Sequence, residues 1–252
     1  MKHSLLITVA LLLVATNAMA AMENVRFALH RKDKFVSSKT IPIQCDIPAT
    51  ATVEPNYSPN FDNIPCEQYT VTGPVLAGST VYVVAGHVDP IGISAASFGV
   101  DYSGSSGTGI DPAFSAWTAC ADGLGFPNDG GNGDFPKPKG GIRITWTLPS
   151  CGNQTVNGVV HAVIGAIYVY AYSADVLKLT TNNNLQGNIP ELAVADCSGT
   201  SYDLIAIIGA NFIPQILGRV QFGAGSQGYT PCGVVPTRPT TWGKIKTQFK
   251  NS

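Results

Sequence analysis

The sequence predicts an all-β fold, a β-sandwich or jelly roll stapled by disulfides, with a short C-terminal helix or tail. Charged residues make up only 12% of the 252-residue chain, while glycine (27) and proline (17) are abundant. Both residue types break helices and build turns. About nine or ten short strand-like segments are separated by turn signals, a pattern typical of sandwiches and jelly rolls. Six cysteines, an even number, complete the pattern.

The N-terminus has the form of a secretory signal peptide. A basic start at Lys2 is followed by an apolar run from Leu5 to Val14, and Ala18-Met19-Ala20 matches the small-x-small cleavage pattern. The run is too short to span a bilayer comfortably. We expect residues 1–20 to be removed near Ala20, which places the mature protein outside the cytoplasm, at the cell surface, in the periplasm or in the medium. An uncleaved anchor or a buried helix is the alternative. No later apolar run predicts a transmembrane segment.

Beyond the leader, composition divides the chain into three parts. Residues 21–64 look irregular, apart from a candidate first strand around Phe27 and Leu29. Residues 65–235 carry the strand-like pattern and are predicted to form the β-sandwich domain. Residues 236–252 form a polar linker and a basic amphipathic tail, in which Trp242, Ile245 and Phe249 share one helical face. The tail at 242–250 predicts a helix that docks on the domain, a membrane surface or a partner; a frayed terminus is the alternative.

The clearest strand runs from Val159 to Tyr172. Tyr168, Tyr170 and Tyr172 alternate on one face, and apolar residues occupy the other, which predicts a central strand. The alternation of Ile142, Ile144 and Trp146 predicts another strand with a buried face. The remaining strands are predicted at 67–71, 79–85, 97–102, 114–118, 176–181, 191–197, 203–208 and 218–223.

The six cysteines all lie beyond the predicted leader. They are Cys45, Cys66, Cys120, Cys151, Cys197 and Cys232. In an exported chain they predict three disulfides, and fifteen pairings are formally open. We predict pairing between sequence neighbours: Cys45–Cys66, Cys120–Cys151 and Cys197–Cys232. Zinc binding is the alternative, but the chain lacks a CxxC pair and its histidines are not at ligand spacing to any cysteine.

No catalytic constellation stands out. His87 and His161 are the histidines of the central domain, but the sequence has no Gly-x-Ser-x-Gly elbow to supply a nucleophile. Nothing pairs the available carboxylates as glycoside hydrolysis requires. A net charge of −1 gives no electrostatic attraction for nucleic acid. The sequence therefore favours a non-enzymatic module.

The long loop at 122–141 supplies the best candidates for ligand binding. Four aromatic residues flank it: Trp117, Phe126, Phe135 and Trp146. If exposed, these rings can stack on a glycan or fill a pocket of a protein partner; the alternative is that they belong to the core. Within the loop, Asp129, Asn132 and Asp134 predict a calcium site, since oxygen ligands on a glycine-rich loop suit that ion. A loop with Asx turns and no metal is the alternative. No other cofactor is predicted.

Two resemblances follow from these segments. The strands with Phe98-Gly99-Val100-Asp101-Tyr102, together with the tail Trp242-Gly243-Lys244-Ile245-Lys246, resemble uncharacterised exported bacterial proteins. More loosely, 98–102 and 172–179 are similar to strand-and-turn phrases of cohesin-like jelly-roll modules. The second resemblance implies a cohesin-like binding module, with an immunoglobulin-like sandwich as the related fold, and it identifies no ligand.

Together these observations predict a secreted, non-enzymatic module for adhesion, surface structure or binding, with a protein or a glycan as partner. The alternative function is a carbohydrate-binding or carbohydrate-active protein that uses the aromatics and carboxylates near the 122–141 loop.

Overall fold

Two β-sheets pack face to face, which confirms the all-β sandwich. The computed structural model describes residues 24–32, 65–112, 115–120, 123–128, 135–146, 154–156, 159–183 and 189–233. Their strands are β1 Arg26–Lys32, β2 Thr72–Gly73, β3 Ala77–Val88, β4 Ile93–Asp101, β5 Ala116–Ala119, β6 Leu124–Asn128, β7 Gly141–Thr145, β8 Gln154–Val156, β9 Val159–Ala171, β10 Asp175–Thr180, β11 Ala193–Asp196, β12 Ser201–Asp203 and β13 Arg219–Phe222.

The smaller sheet is built around the long antiparallel pair of β3 and β9. Its strand order is β1-β3-β9-β5, and β8 also pairs with β9. The alternation predicted for β9 is confirmed: Ile167, Val169 and Ala171 are buried in the core. Tyr168 and Tyr170 point to the opposite face. Strand β1, which precedes the range 65–235, pairs along β3 from Arg26 opposite Gly86 to Lys32 opposite Thr80.

The larger sheet is centred on β4. The strand order is β12-β11-β4-β10-β13-β2, while β7 pairs with β4 and β6 pairs with β7. On one side of β4, Ala95 to Gly99 pair with β7. On the other side, β11 pairs with its first half and β10 with its second half. Strand β4 therefore touches three neighbours and fixes where each one lies.

The core lies between the two sheets. Phe27 of β1 contacts Phe98 of β4 across it, with ring centroids 5.8 Å apart. Ile142, Ile144 and Trp146 alternate into this core, as their spacing predicted. Burial of such side chains stabilises the fold by about 1.5–3 kcal/mol each.

Two predicted strands are wrong. At 67–71 the chain instead forms a 3-10 turn, Cys66–Gln68, followed by extended residues. At 203–208 the chain forms a helix, Leu204–Ile208, because the Asp203 carboxylate accepts the backbone N–H groups of Ile205 and Ala206 and caps the N-terminus. This helix and the next one, Ile213–Ile216, bury apolar side chains in the same core. A run of five apolar residues is compatible with either structure, so the cap decides.

One disulfide joins Cys66 to Cys232, so the predicted pairing of sequence neighbours is wrong for both residues. The fold brings the turn Cys66–Gln68 and the 3-10 turn Pro231–Gly233 together over the outer side of the smaller sheet, where they pack on Tyr82, Val84 and Val163. Spacing along the chain carries no information about such long-range contacts. Cys120 and Cys197 are also disulfide-bonded, and Cys45 and Cys151 lie outside the described residues.

The described part of the chain contains no helix that is long and apolar enough to cross a membrane. The predicted signal peptide, 1–20, and the predicted tail, 242–250, lie outside the described residues.

We expect the Cys66→Ala/Cys232→Ala double variant to lose about 2–5 kcal/mol of unfolding free energy, because the bond joins residues 166 positions apart and restricts the unfolded chain. Urea unfolding followed by circular dichroism measures the loss. The same variant should keep a β-rich spectrum, since the inter-sheet core is intact. A loss below about 1 kcal/mol would show that this cross-link contributes little.

Candidate functional site

The outer side of the larger sheet presents a broad face of small and polar side chains. Along β4, β7, β10, β11 and β13, alternate residues point into the core, so the residues between them point away from it. We call this surface the larger-sheet face. Its members are Ala95, Ser97, Gly99, Asp101, Arg143, Thr145, Val176, Lys178, Thr180, Ala193, Ala195, Arg219 and Gln221. Two depressions lie on it.

The shallow depression has a volume of about 110 Å³ and a floor of small residues, among them Ala95, Ala193 and Ala195. Its polar border is fixed by Glu191. The Glu191 carboxylate accepts the Arg143 Nε–H at 2.8 Å and the Ser97 hydroxyl at 2.7 Å. Two donors hold this carboxylate in place, so it is a fixed part of the polar border of the depression.

Two large apolar side chains extend the larger-sheet face beyond β7. Leu124 and Phe126 of β6 pair with Thr145 and Arg143 of β7, and directly paired residues point to the same face. Leu124 is 60% exposed and Phe126 is 54% exposed. Single exposed apolar residues are ordinary on protein surfaces. These two, however, lie next to each other on the same face, one strand beyond the β7 residues Arg143 and Thr145 that line the shallow depression.

The second depression is a groove of about 910 Å³ at the other end of the larger-sheet face. Val176, Lys178 and Gln221 lie on its floor strands, and Asp101 and Arg219 also line it. Asp175 also lines the groove, and the residues between the strands supply the rest of the lining: Tyr102, Ser103, Gly104, Pro138, Lys139, Ala174, Ala224, Gly225 and Gln227. Lys178 Nζ lies 2.9 Å from Asp101 Oδ2, so these two charges neutralise each other.

Asp175 builds the wall of this groove. Its buried carboxylate accepts backbone N–H groups of Gly104 and Ile110 and both the N–H and the hydroxyl of Ser103. Burial alone would raise the pKa of Asp175, but the hydrogen bonds stabilise the anion and leave its pKa below the usual value. The carboxylate thus ties the loop after β4 to the start of β10.

The structure separates the four aromatics that the sequence grouped as ligand-binding residues. Trp146 is buried, and its Nε1–H donates to the Cys120 carbonyl at 2.8 Å. Phe135 is buried as well, and Trp117 packs edge-on against it at 5.3 Å. These three rings belong to the core, the alternative that the sequence left open. Phe126 alone of the four is exposed, and it lies on the border of the larger-sheet face.

The larger-sheet face itself was missed by sequence reasoning, although a signal was present. The outward residues Ala95, Ser97 and Gly99 alternate with the inward residues Ala96, Phe98 and Val100 along β4. Small residues at successive outward positions of a central strand let neighbouring segments pack closely over it, as they do at the buried Ser97 and Gly99. The sequence analysis used only the apolar half of this alternation.

The predicted calcium ligands Asp129, Asn132 and Asp134 lie outside the described residues. Among the residues that the structure does describe, no three His, Cys, Asp or Glu side chains come together as a metal site. The calcium site stays a prediction.

His87 and His161 meet on the outer side of the smaller sheet, with ring centroids 6.3 Å apart. Neither ring nitrogen of His161 has a hydrogen-bond partner within the described residues. Burial, assisted by the charge of His87, lowers the pKa of His161 to about 4. His161 is therefore neutral at neutral pH, and it lacks the hydrogen bond that orients a catalytic base.

No protein-family model matches the chain, and a search of curated proteins finds no match. Among solved structures, the chain is similar to the cohesin module of a family 33 glycoside hydrolase from Clostridium perfringens, with 10% identity and a TM-score of 0.35 over 61% of this chain and 89% of that one. It is also similar to the sixth cohesin of scaffoldin B from Acetivibrio cellulolyticus, solved in complex with the Cel5 dockerin (14% identity, TM-score 0.29, 52% and 85%).

A third similar structure is the third cohesin of ScaC from Acetivibrio cellulolyticus, in complex with the ScaB dockerin (15% identity, TM-score 0.27, 49% of this chain and 80% of that one). TM-scores this low carry no argument about this chain. The function is therefore inferred from this chain's own residues.

We expect Asp175→Asn to destabilise the protein by about 2–4 kcal/mol, because an amide would point its own N–H at donors that now meet a carboxylate. Chemical unfolding at pH 7 measures the loss. Since the folded pKa of Asp175 is lowered, its contribution is present above the pKa of the unfolded chain and is lost as the pH falls through the folded value.

Asp101→Asn is the matched control for Asp175→Asn. Asp101 lines the same groove, but its carboxylate is engaged in a surface ion pair with a half-exposed lysine. Such pairs contribute about 0–1 kcal/mol. Equal losses in the two variants would contradict the structural role of Asp175.

We expect His161 to make folding sensitive to acid. The folded pKa, about 4, lies below the value of about 6.5 in an unfolded chain, so stability is full above pH 6.5 and falls as the pH drops toward 4. The loss relative to a His161→Leu variant should reach about 2 kcal/mol at pH 5. Urea unfolding of both proteins at pH 5 and pH 7 measures it. If the two proteins differ in unfolding free energy by the same amount at pH 5 and at pH 7, the acid sensitivity does not come from His161.

Proposed function

We propose that this chain is an extracytoplasmic, non-enzymatic binding module that docks a protein partner on its larger-sheet face. The observation that carries the proposal is that both depressions and the exposed pair Leu124 and Phe126 lie on this one face. Adhesion or assembly of a surface structure is the setting that such a module would serve.

The shape of the face favours a protein over a small molecule. Small-molecule sites are concave and enclose most of their ligand. Here the floor of Ala95, Ala193 and Ala195 is shallow, and the features are spread from β6 to β13. A specific protein interface needs roughly 800 Å² on each partner. Small side chains allow a partner's backbone to approach closely, and Phe126 offers an aromatic anchor of the kind that dominates binding energy.

The carboxylates on the face favour binding over catalysis. Glu191 is held by Arg143 and Ser97, and Asp101 is held by Lys178. A general acid or base needs a carboxyl group that is available to a substrate. These groups are instead engaged in keeping the face in shape.

A carbohydrate-binding function was the alternative predicted from the sequence. Stacking on sugars needs exposed aromatic faces, and three of the four predicted rings lie in the core. Phe126 is the one exposed ring of the four that still supports sugar binding, and an exposed ring fits a protein interface equally well. We therefore keep protein docking as the single proposed function.

The decisive experiment compares capture by three proteins. The wild type, a Leu124→Asp/Phe126→Asp variant and a Leu76→Asp control are immobilised and exposed to surface and secreted proteins of the source organism. Leu76 is 66% exposed, but it lies in the turn between β2 and β3 and lines neither depression. We expect a partner, identified by mass spectrometry, that the wild type and the control retain and the double variant loses.

The double variant should unfold at the same urea concentration as the control, because all three substitutions are at exposed positions. If every captured protein is lost or retained equally by the two variants, the larger-sheet face is not the docking surface. Binding of glycans, tested on the same three proteins, would point to the carbohydrate alternative if it depended on Phe126.

A further inference from the structure

We infer that the groove on the larger-sheet face receives a carboxylate from an acidic peptide segment, and that Arg219 binds this carboxylate. The inference rests on the proposed function, because it specifies the chemistry of the protein partner. Two observations carry it. The Tyr229 ring holds the Arg219 side chain in place, and the carboxylates of the groove have other partners.

Arg219 is held in place before any ligand arrives. Its guanidinium carbon lies 5.2 Å from the centre of the Tyr229 ring. Tyr229 is itself fixed: its backbone exchanges two hydrogen bonds with that of Arg219, at 2.9 and 3.0 Å, and its hydroxyl donates to the Gln215 carbonyl at 2.9 Å. An arginine stacked on a rigid ring loses little conformational freedom when it forms a paired hydrogen bond to a carboxylate.

The charges in the groove leave Arg219 without a carboxylate among the described residues. Asp101 is paired with Lys178 at 2.9 Å. The carboxylate of Asp175 is occupied by the N–H and hydroxyl groups of the 103–110 loop and by Val176. Arg219 therefore offers a guanidinium with no carboxylate partner among the described residues, and it favours an anionic group.

The lining favours an acidic peptide over an acidic glycan. Among the described residues that line the groove, the one aromatic is Tyr102, which is buried and donates its hydroxyl to the Pro136 carbonyl. The ring of Tyr229 faces the guanidinium of Arg219. A sugar would thus find no free ring to stack on here. A peptide carboxylate needs no such ring.

The experiment uses a fluorescein-labelled hexaglutamate peptide as probe, hexaglutamine as the neutral control and hexagalacturonate as the acidic glycan. Fluorescence anisotropy is measured with the full chain at low and at physiological salt. Wild type should bind hexaglutamate at least about tenfold more tightly than hexaglutamine, and salt should weaken the binding. Arg219→Gln should reduce the affinity by about tenfold or more. Arg219→Lys should be intermediate, because charge is kept but the planar fork is lost.

Lys32→Gln is the matched control, since Lys32 is a cation at the end of β1 in the smaller sheet and lines neither depression. Its affinity for hexaglutamate should change less than about twofold, because salt screens a charge that is distant from the groove. Equal binding of the two peptides, or equal losses in Arg219→Gln and Lys32→Gln, would overturn the inference. So would tight binding of hexagalacturonate without binding of hexaglutamate, which would assign the groove to a glycan.

The two proposals fail separately. If Leu124→Asp/Phe126→Asp abolishes capture of a partner but hexaglutamate does not bind, the docking face stands and the carboxylate site is wrong. If hexaglutamate binding depends on Arg219 but no captured protein depends on Leu124 and Phe126, the carboxylate site stands and the docking of a protein across the whole face is wrong.

Discussion

The pairing of β3 with β9 is the constraint on which the remaining architecture depends. This ladder runs from Ala77 opposite Ala171 to Val88 opposite Val160. Its inner side chains meet the larger sheet in the core, while the turns joined by Cys66 and Cys232 cover Tyr82 and Val84 on its outer side. Along this stretch the smaller sheet is therefore covered on both sides, and among the described residues both depressions lie on the larger sheet.

Part of the larger-sheet face is covered by the chain itself. A side chain at Gly99 would collide with the Thr181 carbonyl, and one at Gly141 would collide with the Asn182 side chain. The 180–182 segment therefore packs directly over these two glycines. The exposed floor lies at Ala95, Ala193 and Ala195, and the charged groups around it are tied to partners or, for Arg219, to the Tyr229 ring. The same small residues therefore determine how the segments of the larger sheet pack and where a partner can approach it.

Strand periodicity made most of the fold predictable, because side-chain direction alternates strictly along a strand. The buried faces of β7 and β9 follow directly from Ile142, Ile144 and the tyrosine alternation. The helix Leu204–Ile208 was not predictable in this way, since its apolar run has no period and the deciding contact is a cap from Asp203. Two further features depend on contacts between residues that are distant in sequence: the Cys66–Cys232 pairing and the placement of Arg219 next to Lys178. A single sequence has no local pattern that predicts such contacts.

The cross-link between Cys66 and Cys232 also orients the molecule. It fastens the last described residues, up to Gly233, against the side of the smaller sheet that faces away from the core. Polypeptide that continues from Gly233 consequently starts on the opposite side of the sandwich from Phe126. A module tethered through that end to a wall, a fibre or a neighbouring domain would hold the Phe126 side of its recognition surface away from its own attachment.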